Sequence, residues 1–373
     1  MTLFLFAKQI IDMLYQYRWL DYAMVIFAVL LLLYQFALVR PHLRSWFTRM
    51  DGIVLGLGGL LTVGLIRGSH GTLVYGKVMS ALLLYFVGRI YYDRIKECTG
   101  ALVAASYIVV YLNLGARIAE FGSGLLRVTN AEGDFYYYDT AMAFAMILAM
   151  VFIGMFGKNS LKKLITVFAV CPYMVFWSDA GIQKVLMLAI YGIMAVYVIE
   201  LVFGKRKLMN LLLTVMVAGL LGVVALVHLP LIRIPGTEGI LSLLDNPILS
   251  ARRMYARYPV WTEAMEQLTA GGGADLWLGL GITEEYRIQS LYVKTLYCLG
   301  ITGILTMLAL IGGIVYYVVK VEDRKTFYLT IMLAVLLLGS GVAVNSMETV
   351  QMSWFPMLFA GMVVSSVELE EYV

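Results

Sequence analysis

Long apolar runs separated by short basic hinges set the first limit on what this chain can fold into. A run such as Leu211–Leu229 is too long and too evenly apolar for a membrane β-strand, which alternates between lipid-facing and lumen-facing side chains. Lipid offers no hydrogen bonds to a bare backbone, so such runs must be helices that satisfy their own amides. Composition agrees: 61% of the residues are hydrophobic and 14% are charged, against about 25% charged in soluble domains. The fold class expected is an all-α polytopic membrane protein, one integral domain over residues 1–373 rather than a string of soluble domains.

Spans are expected near 20–39, 52–66, 72–90, 100–115, 138–157, 164–178, 185–204, 208–228, 299–319, 326–344 and 350–367, a single bundle of about 11 (11–12) transmembrane helices. Residues 2–17 would supply the twelfth. Lys8 and Asp12 interrupt that stretch, which reads better as an interfacial or re-entrant half-helix than as a crossing or a cleavable signal.

The hinges RPHLRSWFTR (40–49), RIYYDRIK (89–96), KNSLKK (158–163), KRK (205–207) and KVEDRK (320–325) each carry three Lys or Arg. They alternate along the chain, so all share one side, and the excess of positive charge makes that side cytoplasmic. Segments 67–71, 116–137, 178–184, 229–289 and 345–349 then face outward, and 229–289 is the one large extracytoplasmic loop. The chain is thus expected to cross its membrane several times with the large loop outside the cytoplasm. Cys98, Cys171 and Cys298 are too few and too scattered for a disulfide framework or a metal site. No phosphate-binding glycine loop, dinucleotide fingerprint or HExxH zinc motif is present, so neither a cofactor, a metal nor a nucleic-acid partner is implied. Without an ATPase module, any reaction must draw on an already activated substrate.

The outward cations run against the positive-inside bias. Arg117 and Arg127 flank the 116–137 loop, Lys184 opens a span, and Arg252, Arg253, Arg257 and Arg287 lie in the large loop. A guanidinium is a rigid donor fork suited to phosphate or carboxylate. The plainer account is that these residues pair with the loop carboxylates Glu238, Asp245, Glu263, Glu266, Asp275, Glu284 and Glu285. In ARRMYARYPVW (251–261) helical spacing would put Arg253 and Arg257 on one face with Trp261 a turn further on. Such a face can grip a diphosphate while Tyr255 and Trp261 stack on sugar, or it can simply anchor the loop among lipid headgroups.

Three stretches in this order resemble the O-antigen ligase and Wzy polysaccharide polymerase superfamily of GT-C-like membrane glycosyltransferases. RVTNAEGDFYYYDTAMAFAMILAM (127–150) looks like its R…G-x-F…N-x-x-A motif, with Asp139 near the usual Asn. RYPVW (257–261) followed by LGLG (278–281) is similar to its R-x-x-x-W…G-x-G. QSLYVKTLYCLGITGIL (289–305), which includes Tyr292, looks like its H/D-N-x-Y-L…G-I-x-G. Together they are spread over residues 127–305, roughly half the chain. Departures are equally specific. Gln289 stands where ligases of the family carry His, and Gln183-Lys184 stands where a Ser-Arg pair often opens a span. Of the three histidines, His42 and His228 read as structural, and only His70 in the outer RGSHG turn is placed to reach an external site. Loss of the motif His favours a polymerase over a ligase.

What the resemblance implies is transfer of an undecaprenyl-diphosphate-linked oligosaccharide donor onto an acceptor repeat unit, with inversion at the anomeric carbon. Its natural partners are membrane lipid, a flippase and a chain-length regulator. A departing diphosphate gathers negative charge, which fixed cations stabilise; Arg257, Arg253, Arg127 and Lys184 are the candidates. An acceptor hydroxyl needs a general base, for which Glu284, Glu285 and Asp139 remain open. Other readings are a ligase or protein O-oligosaccharyltransferase with a different acceptor, a transporter or flippase, and a structural assembly subunit. A transporter would place charged residues at mid-span, whereas the ionisable residues here lie mainly at borders and in loops.

Overall fold

The computed structural model of the chain describes residues 1–13, 18–39, 47–68, 71–118, 136–178, 180–228, 257–283 and 288–370. Among these the regular structure is helical, without strands. The helices, numbered here in chain order, are α1 (Thr2–Met13), α2 (Arg18–Val39), α3 (Arg49–Arg67), α4 (Thr72–Ile90), α5 (Tyr92–Glu97), α6 (Thr99–Ile118) and α7 (Tyr136–Phe156). α8 runs over Leu161–Ile165, a π turn Thr166–Val170 and Cys171–Trp177. Then come α9 (Gly181–Phe203), α10 (Arg206–His228), α11 (Tyr258–Ala270), α12 (Gly273–Leu278), α13 (Leu291–Lys320), α14 (Arg324–Ser340) and α15 (Val350–Glu370). Each segment read as a span lies largely in a helix, although α14 stops at Ser340, short of the end read at 344. By length and composition, five of the described helices can cross a membrane: α3, α4, α9, α13 and Val350–Glu368 of α15. Shorter apolar stretches lie in α2, α6, α7 and α10. Large apolar side chains on the rim, among them Ile26, Leu33, Phe168, Val202, Leu211 and Leu308, are exposed, as a face turned to lipid requires.

α15 is the central helix. Residues 350–367 are all buried, which a helix apolar on every side demands. Its tightest neighbour is α4, because glycines remove the side chains at the crossing. A Cβ on Gly361 would sit 1.9 Å from the Tyr85 carbonyl oxygen, and one on Gly88 would sit 1.9 Å from that of Leu358. Trp354 Nε1 bonds Ser80 Oγ across the same contact at 2.9 Å.

The π turn in α8 has a local cause. Pro172 cannot donate to the carbonyl four residues back and its ring crowds that oxygen, so the preceding turn widens.

Charge pairs gather at the helix ends. Asp51 closes a capping box with Thr48 at the start of α3. Its carboxylate also accepts from Tyr85 Oη at 2.7 Å and from Arg89 Nε and Nη2, both at 3.1 Å. Arg89 Nη1 then reaches Ser365 on α15 at 3.0 Å. Arg324, opening α14, pairs with Glu200 near the end of α9 and donates to Asn210 near the start of α10 at 2.9 Å. These contacts bring the basic hinges to one end of the bundle. At the opposite end, His228 closing α10 meets Ser290 ahead of α13, and Gln183 opening α9 meets Ser340 closing α14.

Of the two readings of residues 2–17, α1 departs from the interfacial one: Thr2 Oγ1 lies 2.8 Å from Cys98 Sγ and Ser106 Oγ donates to Gln9 at 3.1 Å, so this 12-residue helix runs parallel to α6 inside the bundle, as a half-helix. Phe4, Leu5 and Lys8 are buried. The two charges that argued against burial neutralise each other, Lys8 pairing with Asp12 one turn on while its ammonium lies 4.8 Å from the Trp354 ring centre. Charge is therefore present inside the bundle as well as at its borders.

Candidate functional site

The end of the bundle opposite the basic hinges carries a cap built from the described part of the large loop. α11 starts where Pro259 supplies a preset φ, with Arg257 at the N-cap position. α12 follows, and the chain then threads between α3 and α13. Helix α13 is broken at Gly300 (φ 64°, ψ −161°). Carbonyls beside that break take donors from the cap: Leu280 N bonds Tyr297 O at 2.8 Å and Gly281 N bonds Cys298 O at 3.2 Å. Ile282 N bonds Gly64 O on α3 at 2.8 Å. Gly281 has φ +96°, and a Cβ there would lie 2.3 Å from Gly68 N. The LGLG element thus has a steric reason: the backbone passes where no side chain fits. Arg67 fastens the outer edge, donating to Gly279 O at 3.2 Å and pairing with Asp275.

Beneath the cap lies a polar cluster. His228 Nδ1 is 2.7 Å from Val224 O, so in the neutral ring Nδ1 donates and Nε2 accepts. Ser290, 3.1 Å from Nε2, is that donor, and its oxygen in turn caps α13 through Val293 N. Trp261 is fully buried, stacked on His228 with ring centres 5.3 Å apart. The 341–349 turn closes the cluster. Gly341 O accepts from Leu291 N at 2.8 Å, Asn345 Nδ2 donates to Ile288 O at 2.7 Å, and Arg257 Nη1 donates to Ala343 O. From this turn Glu348 meets Lys294, on the first turns of α13, at 2.8 Å, with side chains 16% and 8% exposed.

Lys294, Glu348 and Asn345 stand together in the wall of a cavity of about 570 Å³, which also carries Thr214, Thr295 and Thr330. Most of the wall is apolar, including Leu57 and Leu61 of α3, Leu213 and Val217 of α10, and Met307 and Leu310 of α13, with Asn210 near the opposite end. That volume lies within the usual range of ligand sites, roughly 300–1,000 Å³. A long apolar slot ending in an ion pair suits a molecule with a greasy tail and a charged or hydroxylated head.

The residues singled out from sequence divide into three groups. Arg257, Trp261, Gln289 and Tyr292 meet at the cluster: Gln289 O lies 3.5 Å from Arg257 Nη1, and Tyr292 Oη donates to Leu338 O at 2.7 Å. Lys184 is half-buried in the first turn of α9, beside the buried Gln183 that bonds Ser340 at 3.4 Å. Arg117 falls in the last turn of α6 and Asp139 in the first turn of α7. Arg127, Arg252, Arg253, Tyr255, Glu284, Glu285 and His70 lie outside the described residues. Trp261 needs correction: stacked and fully covered, it is packing for His228, not a platform for sugar or a headgroup anchor. Arg257 acts on the turn, holding main-chain carbonyls through Nη1.

Sequence reading missed Lys294, Asn345 and Glu348. The available signal was a lone Lys inside the apolar stretch 289–305 and a lone Glu in the short segment 345–349, each an expensive charge in such surroundings. No protein-family model matches this chain, and no curated protein matches it.

Proposed function

We propose that the chain is a surface-polysaccharide polymerase (O-antigen, capsule or exopolysaccharide) of the bacterial cytoplasmic membrane. It transfers a glycan from undecaprenyl diphosphate onto an acceptor repeat unit with inversion. About eleven spans cross the bilayer, and the basic hinges lie inside, which puts the cap and the 229–289 loop on the outer face. The observation that carries the reading is the apolar cavity ending in Lys294, Asn345 and Glu348 under an aromatic and cationic cap. A polyprenyl tail fits between the helices, and the diphosphate meets Lys294, which offsets the charge it gains on leaving. Arg257, by holding the 341–349 turn, positions that end of the cavity.

The test is incubation of purified protein with lipid-diphosphate-linked repeat units extracted from the native membrane. A ladder of polymer supports the reading, and unchanged single units contradict it. A single transfer without a ladder identifies a ligase-type acceptor. Transport is the second reading, favoured by the buried Lys8–Asp12 pair beside a 40 Å³ pocket lined by Gln9, Asn113 and Gln351. Movement of intact lipid across a vesicle without bond formation would establish it instead.

A further inference from the structure

The Lys294–Glu348 pair is unusual for its position. Taking two charges out of water is costly, and apolar side chains of similar volume fill such a space at no loss of stability. Here both charges line the cavity, and neither joins the hinge networks at the other end of the bundle. A second observation points the same way. Asn345, on the same wall, has its amide nitrogen tied to Ile288 O, while its Oδ1 is buried without a partner among the described residues. Buried acceptors are nearly always paired, so this orphan in a residue of the cavity wall can take a ligand hydroxyl once the amide turns toward the cavity. The wall thus presents a cation and a carboxylate together, beside a residue with an unsatisfied acceptor.

Resting on the glycosyl-transfer reading above, we infer that Glu348 is the general base of the transfer and Lys294 the cation that receives the lipid diphosphate, the two exchanging partners when substrate binds. In the empty protein each neutralises the other. An arriving diphosphate draws the ammonium to itself and leaves the carboxylate free to face the acceptor hydroxyl. Glu348 then takes the proton of the acceptor hydroxyl as that oxygen bonds to the anomeric carbon. The bond from the anomeric carbon to the diphosphate oxygen breaks, its electron pair leaves with the lipid diphosphate, and Lys294 faces the new charge. Asn345 Oδ1 accepts from a neighbouring sugar hydroxyl and so fixes the acceptor. The proton on Glu348 returns to solvent when product leaves.

The experiment uses the full-length protein, with lipid-diphosphate-linked oligosaccharide extracted from the native membrane as probe. Glu348→Gln should lower ladder formation by about 10²- to 10⁴-fold, the usual contribution of a general base, while probe binding persists. The double variant Lys294→Glu/Glu348→Lys keeps an ion pair. It should keep the wild-type Tm yet make no ladder. Glu348→Asp should retain part of the activity with a displaced pH profile. Wild-type activity in the charge-swapped protein would show the pair to be structural and overturn the inference, as would full activity of Glu348→Gln. If Glu348→Gln does not fold, the swapped protein alone decides between these outcomes. A wild-type protein that makes no ladder defeats the glycosyl-transfer reading itself, so the two failures are distinguishable.

Discussion

Replacing Gly281 by Ala should undock the cap. At φ +96° an L-residue is strained, and its Cβ would lie 2.3 Å from Gly68 N and 2.6 Å from Gly68 Cα, both main-chain atoms that cannot swing aside. The strain alone is worth about 1–3 kcal/mol. Relieving the clash moves the chain off α3 and α13, with loss of the hydrogen bonds from Leu280, Gly281 and Ile282, each about 1 kcal/mol net. Together the cost is about 4–6 kcal/mol, on the order of 10³ or more in the docking equilibrium. The reporter is Cys298, buried where Gly281 N bonds its carbonyl. With Cys98 and Cys171 replaced by Ala, maleimide labelling of Cys298 in membranes should be slow in wild type. Labelling through local opening follows the opening equilibrium, so Gly281→Ala should speed it by about 10²-fold or more. Gly272→Ala is the control: its φ is +93°, but nothing lies within 4 Å of the new Cβ, so strain is its whole cost and Cys298 should stay protected. Equal protection of Cys298 in Gly281→Ala and wild type would refute the account of the LGLG element.

Asp51→Ala leaves Arg89 buried without its carboxylate and should cost about 3–5 kcal/mol, read as a lower melting temperature in detergent. Gly361→Ala cannot avoid the Tyr85 carbonyl at 1.9 Å and should separate α4 from α15, with loss of folded protein from the membrane. His228→Ala removes the Val224 and Ser290 contacts and the Trp261 stack, about 2–3 kcal/mol in all, and should be checked by thermal melting. Arg257→Ala frees the 341–349 turn and should abolish polymer formation while the protein stays in the membrane; polymer of wild-type length would count against the site.

Helix positions were legible because a polar hinge stands out sharply against an apolar run. α4, bounded by Gly71 and the basic hinge from Arg89, falls on the residues read from sequence. α13 starts at Leu291, where Ser290 caps a first helical segment, and its backbone breaks at Gly300, next to the start of the span read as 299–319. The interfacial alternative for α1 fails for a physical reason: charges scored singly exclude a helix from the interior, yet Lys8 and Asp12 cancel within one turn. Trp261 misled similarly, since an aromatic beside Arg and Tyr reads as an interface anchor until His228 is seen stacked on it. The Arg257 and LGLG elements were found, but as motifs; their work here is to hold a turn and to let two backbones touch. Lys294 and Glu348 meet only through tertiary packing across 54 residues of sequence, and no local pattern announces that meeting.

The most direct measurement of the central claim is where a lipid diphosphate sits. A polyprenyl diphosphate with a benzophenone on its tail, photolysed in the purified full-length protein, should label the cavity side of α10 and α13 around Leu213, Val217, Met307 and Leu310. Excess unlabelled lipid diphosphate should suppress that labelling, and Lys294→Ala should weaken it. Adducts confined to the lipid-facing Leu305 and Leu308, indifferent to competitor, would contradict the account.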